Sequence, residues 1–193
     1  MPHPVIVTPP AATPVSLVEA KAHLRVDHAD EDTLITSLIA AATAHLDGWT
    51  GILGRCLVSQ TWRMAFDAFP GEKIRIPLGP VISVDSVAYT DTSGDSQTVA
   101  SSGYEVDLYP LEAIIKAGDA GWPDTDDVVN AVRIQWTAGY ADAAAVPDAI
   151  KSAMLMLIGH WYEHREAVVV GTTTVELPLA VASLLRPYRR VGV

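Results

Sequence analysis

Along this chain the spacing of apolar residues changes twice. Leu34, Ile35, Leu38, Ile39, Ala42, Leu46 and Trp49 recur at three and four. From Cys56 to Tyr140 short β-branched and aromatic runs take over, broken by turn residues. From Pro147 to Glu166 the three-and-four spacing returns through Ile150, Met154, Leu157, Ile158, Trp161 and Tyr162. A period near 3.6 builds a helix with one buried face, and a period of 2 builds a strand. A strand-rich stretch held between helical ones predicts an α+β chain. Its plan is a small helical bundle, two N-terminal helices plus a long C-terminal helix, with an inserted antiparallel β-region and extended tails. The 193 residues suit one compact domain with attached tails.

Local signals set the boundaries. Residues 1–15 hold Pro2, Pro4, Pro9, Pro10 and Pro14, which makes them an extended arm rather than a helix. The helical hairpin spans 16–55. Ser16 can cap its first helix, with Glu19 three residues later completing a capping box. Asp30 and Asp32 suit the start of the second helix, and Gly51 and Gly54 stop it. The β-region spans 56–140. Its expected strands are Cys56–Phe66, Glu72–Pro77, Val81–Tyr89, Tyr104–Leu108, Ala113–Ala117 and Val128–Thr137. Val132, Ile134 and Trp136 should share one face. Asp91–Asp95 reads as a hairpin loop leading to Thr98 and Val99. Strands so spaced form an antiparallel sheet or small barrel. The long helix spans 141–166, with Pro147 at its start and Asp148 in its first turn. The tail spans 167–193. It holds a β-prone, flexible stretch, Val168–Val175, and a short helix, Pro178–Leu185, halted by Pro187.

Charge narrows the partners. The chain carries 13 Lys and Arg against 23 Asp and Glu, a net charge of -10. That disfavours non-specific phosphate binding and docking on anionic lipid. The excess is uneven. Residues 1–142 hold 8 basic and 19 acidic residues, net -11; residues 143–193 hold 5 and 4, net +1. A basic end on an acidic body suits an acidic partner surface. No apolar run reaches the roughly 18 residues of a spanning helix. Met1-Pro-His-Pro-Val5 lacks the basic start of a secretory signal. A soluble protein made in a cytoplasm is the expectation, with no membrane partner.

Few residues offer chemistry. His160-Trp-Tyr-Glu163-His164 matches H-x-x-E-H, in which two His on one helix face bind zinc and the Glu acts as base. Trp161 and Tyr162 belong to the core stripe, so His160 and His164 are expected to flank the core or line an interface. Asp124, Asp126 and Asp127 lack the Gly and distal Glu of a calcium loop and read as solvated. Cys56 is the only cysteine, so neither an intrachain disulfide nor an all-cysteine metal site can form. Arg55 beside it could activate the thiol, but no paired His is fixed by sequence; a buried strand cysteine is expected. His3, His23, His28 and His45 are scattered, as surface or capping residues are. No phosphate-binding glycine loop and no G-x-S-x-G elbow occurs.

Four stretches together resemble a known family. They are Val15-Ser-Leu-Val-Glu-Ala-Lys-Ala-His-Leu24 with Asp30–Ile35; Trp136-Thr-Ala-Gly-Tyr140 with Val146–Lys151; Leu157–Glu166; and Leu177–Arg189. In this order the chain resembles the head–tail connector (adaptor) proteins of tailed phages and gene transfer agents. The resemblance implies a structural protein with no enzyme activity, cofactor or metal. It implies a dodecameric homo-oligomeric ring beneath the portal protein, at the head–tail junction of a virion or phage-like particle assembled in a bacterial cytoplasm. Such a ring extends the DNA channel and meets the next tail component, a stopper or tail terminator. DNA passes through without tight binding, which suits an acidic body. By the same resemblance the tail meets the portal. Leu179, Leu184 and Leu185 would enter a groove, with Tyr188 beside them and Arg186, Arg189 and Arg190 as a charged rim. The pre-extended Pro-rich arm suits gripping a neighbour at low entropy cost. The competing readings are another virion part, such as a stopper or tail-completion protein, and a zinc hydrolase on His160, Glu163 and His164.

Overall fold

A computed structural model of the chain describes residues 3–109, 112–164 and 179–190. The strands are β1 (Val5–Thr8), β2 (Gln60–Phe66), β3 (Lys73–Ile76), β4 (Val81–Thr90), β5 (Ser96–Thr98), β6 (Tyr104–Asp107), β7 (Ala113–Ala117) and β8 (Val132–Ala138). The helices are α1 (Leu17–Leu24), α2 (Asp32–Leu46), α3 (Asp148–Glu163) and α4 (Leu179–Leu185). The α+β class is as the spacing of apolar residues predicts. The expected single domain is replaced by two compact units: Met1–Ala11 with Val58–Ala141, and Ala12–Leu57 with Asp142–Val193. Strands satisfy their backbones on strands and helical stripes bury against helical stripes, so each class of element closes on itself.

The β unit holds two antiparallel sheets rather than one sheet or a barrel, ordered β1-β2-β8-β4-β5 and β3-β7-β6. β8 is the centre of the first. Its burial alternates strictly, and Val132, Ile134 and Trp136 are fully buried, the one face expected. Cross-strand rows extend that core: Trp62 faces Trp136 and Met64 faces Ile134 on one side, while Val87 faces Ile134 on the other. In the second sheet Ile74 faces Ile115 and Ile76 faces Ala113, all buried. Phe69 stacks on Trp122 at 4.6 Å, with Tyr89 of β4 and Tyr104 of β6 within 6.3 Å of one ring or the other. Trp122 Nε1 donates to the Gly71 carbonyl at 2.9 Å. This half-buried aromatic group ties loop 67–72 and loop 118–131 to both sheets.

Several boundaries shift for physical reasons. β2 starts at Gln60, because Cys56 and Leu57 are buried in the helical unit before the chain crosses over. β8 starts at Val132, because Asn130 turns with φ 59 and donates its N–H to Asp67. The arm is extended, as its prolines require, and four of its residues serve its own fold. Val5–Thr8 pairs antiparallel with β2 as an edge strand. Prolines at 4, 9 and 10 bracket that strand and limit its length. Gly139 ends β8 at φ +121, where a Cβ would come within 2.4 Å of the Val58 carbonyl oxygen.

The helical unit begins with the expected capping box. Glu19 N donates to Ser16 Oγ at 3.2 Å, and Ser16 N donates to Glu19 Oε2 at 2.7 Å. Arg25, in the left-handed region, closes α1 through its N–H to the carbonyls of Lys21 and Ala22. α2 buries Ile35, Ile39, Ala42 and Leu46. α3 follows Pro147 and buries Ile150, Ala153, Met154, Leu157 and Ile158. α1, α2 and α4 all pack on α3. Lys21 Nζ bridges α1 to α2 by donating to Asp32 Oδ1 at 2.5 Å. Tyr162 donates its hydroxyl to Glu31 Oε2, linking α3 to the start of α2. The stretch Val168–Val175 lies outside the described residues.

Candidate interaction surfaces

The C-terminal segment is built from a short apolar helix and a 3-10 turn at Arg186–Tyr188. Leu, Ala and Val favour the helix, and Pro187 occupies the first positions of the turn, where its missing N–H costs nothing. α4 packs on α3 and buries Val181 and Leu185. Arg190 N then donates to the Leu53 carbonyl at 2.9 Å. A Cβ on Gly54 would meet the Arg190 Cβ at 3.3 Å, so glycine there lets the segment lie close. The Arg55 guanidinium sits over the Tyr188 ring, 5.7 Å from its centroid. The described C-terminal segment, 179–190, is therefore docked on the loop after α2. Of the residues proposed from sequence, Leu185 is buried within the unit. Leu184, Tyr188 and Arg190 are half-buried, and Leu179, Arg186 and Arg189 are exposed. Leu179 is 86% exposed, so its apolar side chain is open to a partner.

The rings of His160, in the last turn of α3, and His164, just past its end, lie tilted against each other. Their centroids lie 4.6 Å apart, and His164 Nδ1 is 3.0 Å from the His160 carbonyl oxygen, which can only accept. Trp161 and Tyr162 are half-buried, as the stripe requires; Trp161 meets His45 edge-on at 6.2 Å. Among the described residues no three His, Cys, Asp or Glu side chains group so as to hold a metal. Cys56 is fully buried, in the loop after α2 rather than in a strand. Asp126 Oδ1 accepts from Asp127 N, while Asp126 N donates to the Thr90 carbonyl, so this acidic loop is tied to the end of β4.

Among the described residues three groups have displaced pKa values. Glu19 is held below the usual carboxylate value, chiefly by the Ser16 N–H and then the Ser16 hydroxyl. Asp91 is lowered by the Gln97 side chain and the N–H groups of Asp95 and Ser93. Tyr104 is raised by partial burial. Each has a local structural cause in a cap, a loop or the aromatic group.

The sheets display charge. On the first, Arg63 and Arg133 flank a cavity of about 510 Å³ with His3, Val5, Ala65 and Asn130. Arg133 donates to Ser96 Oγ at 3.1 Å. Beside them Asp85 accepts from Ser83 and Thr137, and Thr137 Oγ1 lies 3.3 Å from Thr61 Oγ1. On the second, Lys73, Arg75 and Lys116 share the outer face with Glu105 and Asp107. No helix among the described residues is long and apolar enough to cross a membrane.

Packed helices, two antiparallel sheets with open edges, and a docked basic end define an α+β protein whose exposed features suit contact with other chains. The chain belongs to the phage gp6-like head–tail connector family, whose model matches residues 14–116. That family is one of structural connectors, not enzymes. Three solved chains are similar over almost their whole length. One, from the neck of an empty gene transfer agent (GTA) particle computed with C6 symmetry, is 27% identical. It covers 99% of this chain and 97% of that one, with TM-score 0.79. Another, from the virion of a native GTA particle, is 27% identical over 98% of this chain and 96% of that one, with TM-score 0.80. A third, from the neck of a native GTA particle computed with C12 symmetry, is 26% identical over 100% and 97%, with TM-score 0.69. No curated protein matches.

Proposed function

We propose that this connector is a ring subunit in the neck of a phage or phage-like particle, beneath the portal, where it extends the DNA channel and receives the next tail component. The carrying observation is its likeness to a GTA neck chain over 99% of its own length. Rotational symmetry in the neck structures supports a ring. A ring requires each subunit to offer two different faces to its neighbours. The net charge of -10 supports a channel wall that repels DNA phosphates and lets the duplex slide. The docked C-terminal segment supports a portal contact through Leu179, Arg186 and Arg189, because these side chains remain exposed once Leu185 is buried.

Affinity-tag labelling of assembled particles tests this. Label at the single head–tail junction is the expected result. Label over the capsid shell or along the tail shaft would overturn the reading.

A further inference from the structure

Among the described residues the three-stranded sheet has two unpaired edges, and they differ. β3 forms one edge and β6 the other, with β7 between them. Both edges pair antiparallel with β7, so β3 and β6 run in the same direction. Lys73 faces Lys116, which faces Glu105; Arg75 faces Ile114, which faces Asp107. Each row across the outer face therefore starts on a cation at the β3 edge and ends on a carboxylate at the β6 edge. The inner face has a matching asymmetry. Ile74, Ile115 and Val106 form one row; Ile74 and Ile115 are buried, whereas Val106 at the edge is 38% exposed. Among the described residues neither β3 nor β6 pairs with a further strand, and Asp107 Oδ1 accepts only from the nearby Tyr109 N–H at 3.0 Å. The nearest carboxylate to Arg75 is Glu112 at 3.8 Å, with the Arg75 side chain 68% exposed. The Lys73 and Glu105 side chains form no ion pair among the described residues.

We infer that the β6 edge is the docking site for β3 of a second copy of this chain, so that the sheet continues from subunit to subunit. This rests on the ring reading and supplies its contact. A rotated copy keeps strand direction when the strands run along the ring axis, so β3 of the neighbour enters parallel to β6. In the same register the neighbour's first row sets Lys73 beside Glu105, and its second sets Arg75 beside Asp107, on the same face. Opposite charges side by side favour this pairing. The neighbour's strand also covers Val106 and satisfies the free backbone groups of both edges, which otherwise invite aggregation. The contact is heterologous, as ring closure demands.

Disulfide capture in assembled particles tests the pairing. The variant Lys73→Cys with Glu105→Cys places both thiols on one chain, two strand spacings apart. That is about 10 Å, too far for an intrachain bond. Cys56 is buried and does not compete. Oxidation is expected to give a ladder of covalent multimers, with no ladder from either single variant. A chain that enters particles yet stays monomeric on oxidation would overturn the edge pairing and leave the neck reading standing. Cross-linking to a different protein would overturn the choice of occupant. Wild-type chain absent from the neck would sink the neck reading itself.

Charge reversal gives a second arm. Lys73→Glu with Arg75→Glu, or Glu105→Lys with Asp107→Lys, is expected to cut incorporation about tenfold by creating two like-charge pairs. All four together should restore it. Doubles that incorporate normally, or a quadruple variant that fails although its thermal unfolding matches wild type, would overturn the proposal.

Discussion

Arg55 is 7% exposed, and its guanidinium lies 5.7 Å from the centre of the Tyr188 ring. Together with the Arg190–Leu53 backbone bond, this contact fastens the segment 179–190 to the loop that follows α2. The Arg55 carbonyl accepts from Gly48, and Asp47 Oδ1 accepts from Leu57 N, so the loop receiving Tyr188 is itself closed. Arg186 and Arg189 are thus carried on a fixed segment. A fixed basic segment loses less entropy on meeting a partner than a solvated tail would.

Replacing Tyr188 with Ala should release that segment. A partly buried cation–π contact contributes about 0.5–2 kcal/mol. Amide exchange across Val181–Tyr188 should quicken several-fold, with the β strands unchanged. Tyr188→Phe keeps the ring face and should exchange like wild type. Equal exchange in the Ala variant would show that α4 packing alone holds the segment.

The Ser16 cap and Glu19 form one unit with a pH signature. Ser16→Ala should cost about 1 kcal/mol, the usual loss for a capping hydroxyl. Glu19 has its folded pKa lowered from 4.5, chiefly by the Ser16 N–H. Its contribution is therefore present above the unfolded value and lost as pH falls through the folded one. Denaturant unfolding of Glu19→Gln should show a deficit at pH 7 that shrinks below about pH 4. A deficit constant from pH 7 to pH 3 would contradict this account.

Much of this was legible in the sequence, and the gaps have causes. The capping box, the β8 face of Val132, Ile134 and Trp136, and the α3 stripe are local patterns, and they predict their elements well. The arm could be read only as extended. Its Val5–Thr8 run is β-branched, a strand signal in itself, but the partner β2 lies over fifty residues away and nothing local names it. The helix at 179–185 is legible as a helix. That Leu185 turns inward depends on α3, which a short amphipathic segment cannot reveal. The charge rows of β3, β7 and β6 were invisible for the same reason: register across strands sets them, not position along one.

Gly139, within the Trp136–Tyr140 stretch, tests why that motif needs a glycine. Its φ of +121 excludes most side chains, and a Cβ would sit 2.4 Å from the Val58 oxygen. Strained backbone positions of this kind cost about 1–3 kcal/mol, and displacing the Val58 backbone adds to that. Gly139→Ala should lower the urea midpoint with the slope unchanged. An unshifted midpoint would mean that the backbone at Val58 and Ser59 yields readily to the added Cβ.

The proposed portal contact is best tested without cutting the chain. Removing residues after Thr174 would take away α4 and uncover the α3 face that Val181 and Leu185 bury, so lost binding could reflect lost packing. Leu179→Ser, Arg186→Glu and Arg189→Glu change only exposed side chains. The triple variant should unfold like wild type, because surface substitutions usually shift stability by less than about 0.5 kcal/mol. Its capture of portal protein should fall at least about tenfold, since two reversed charges would meet the acidic surface that the proposal requires and an apolar anchor is gone. Raising the salt should weaken the wild-type contact and narrow the difference between the two proteins, because exposed charges are screened within about 10 Å at 0.1 M. Undiminished capture by the triple variant would move the portal contact elsewhere on the chain.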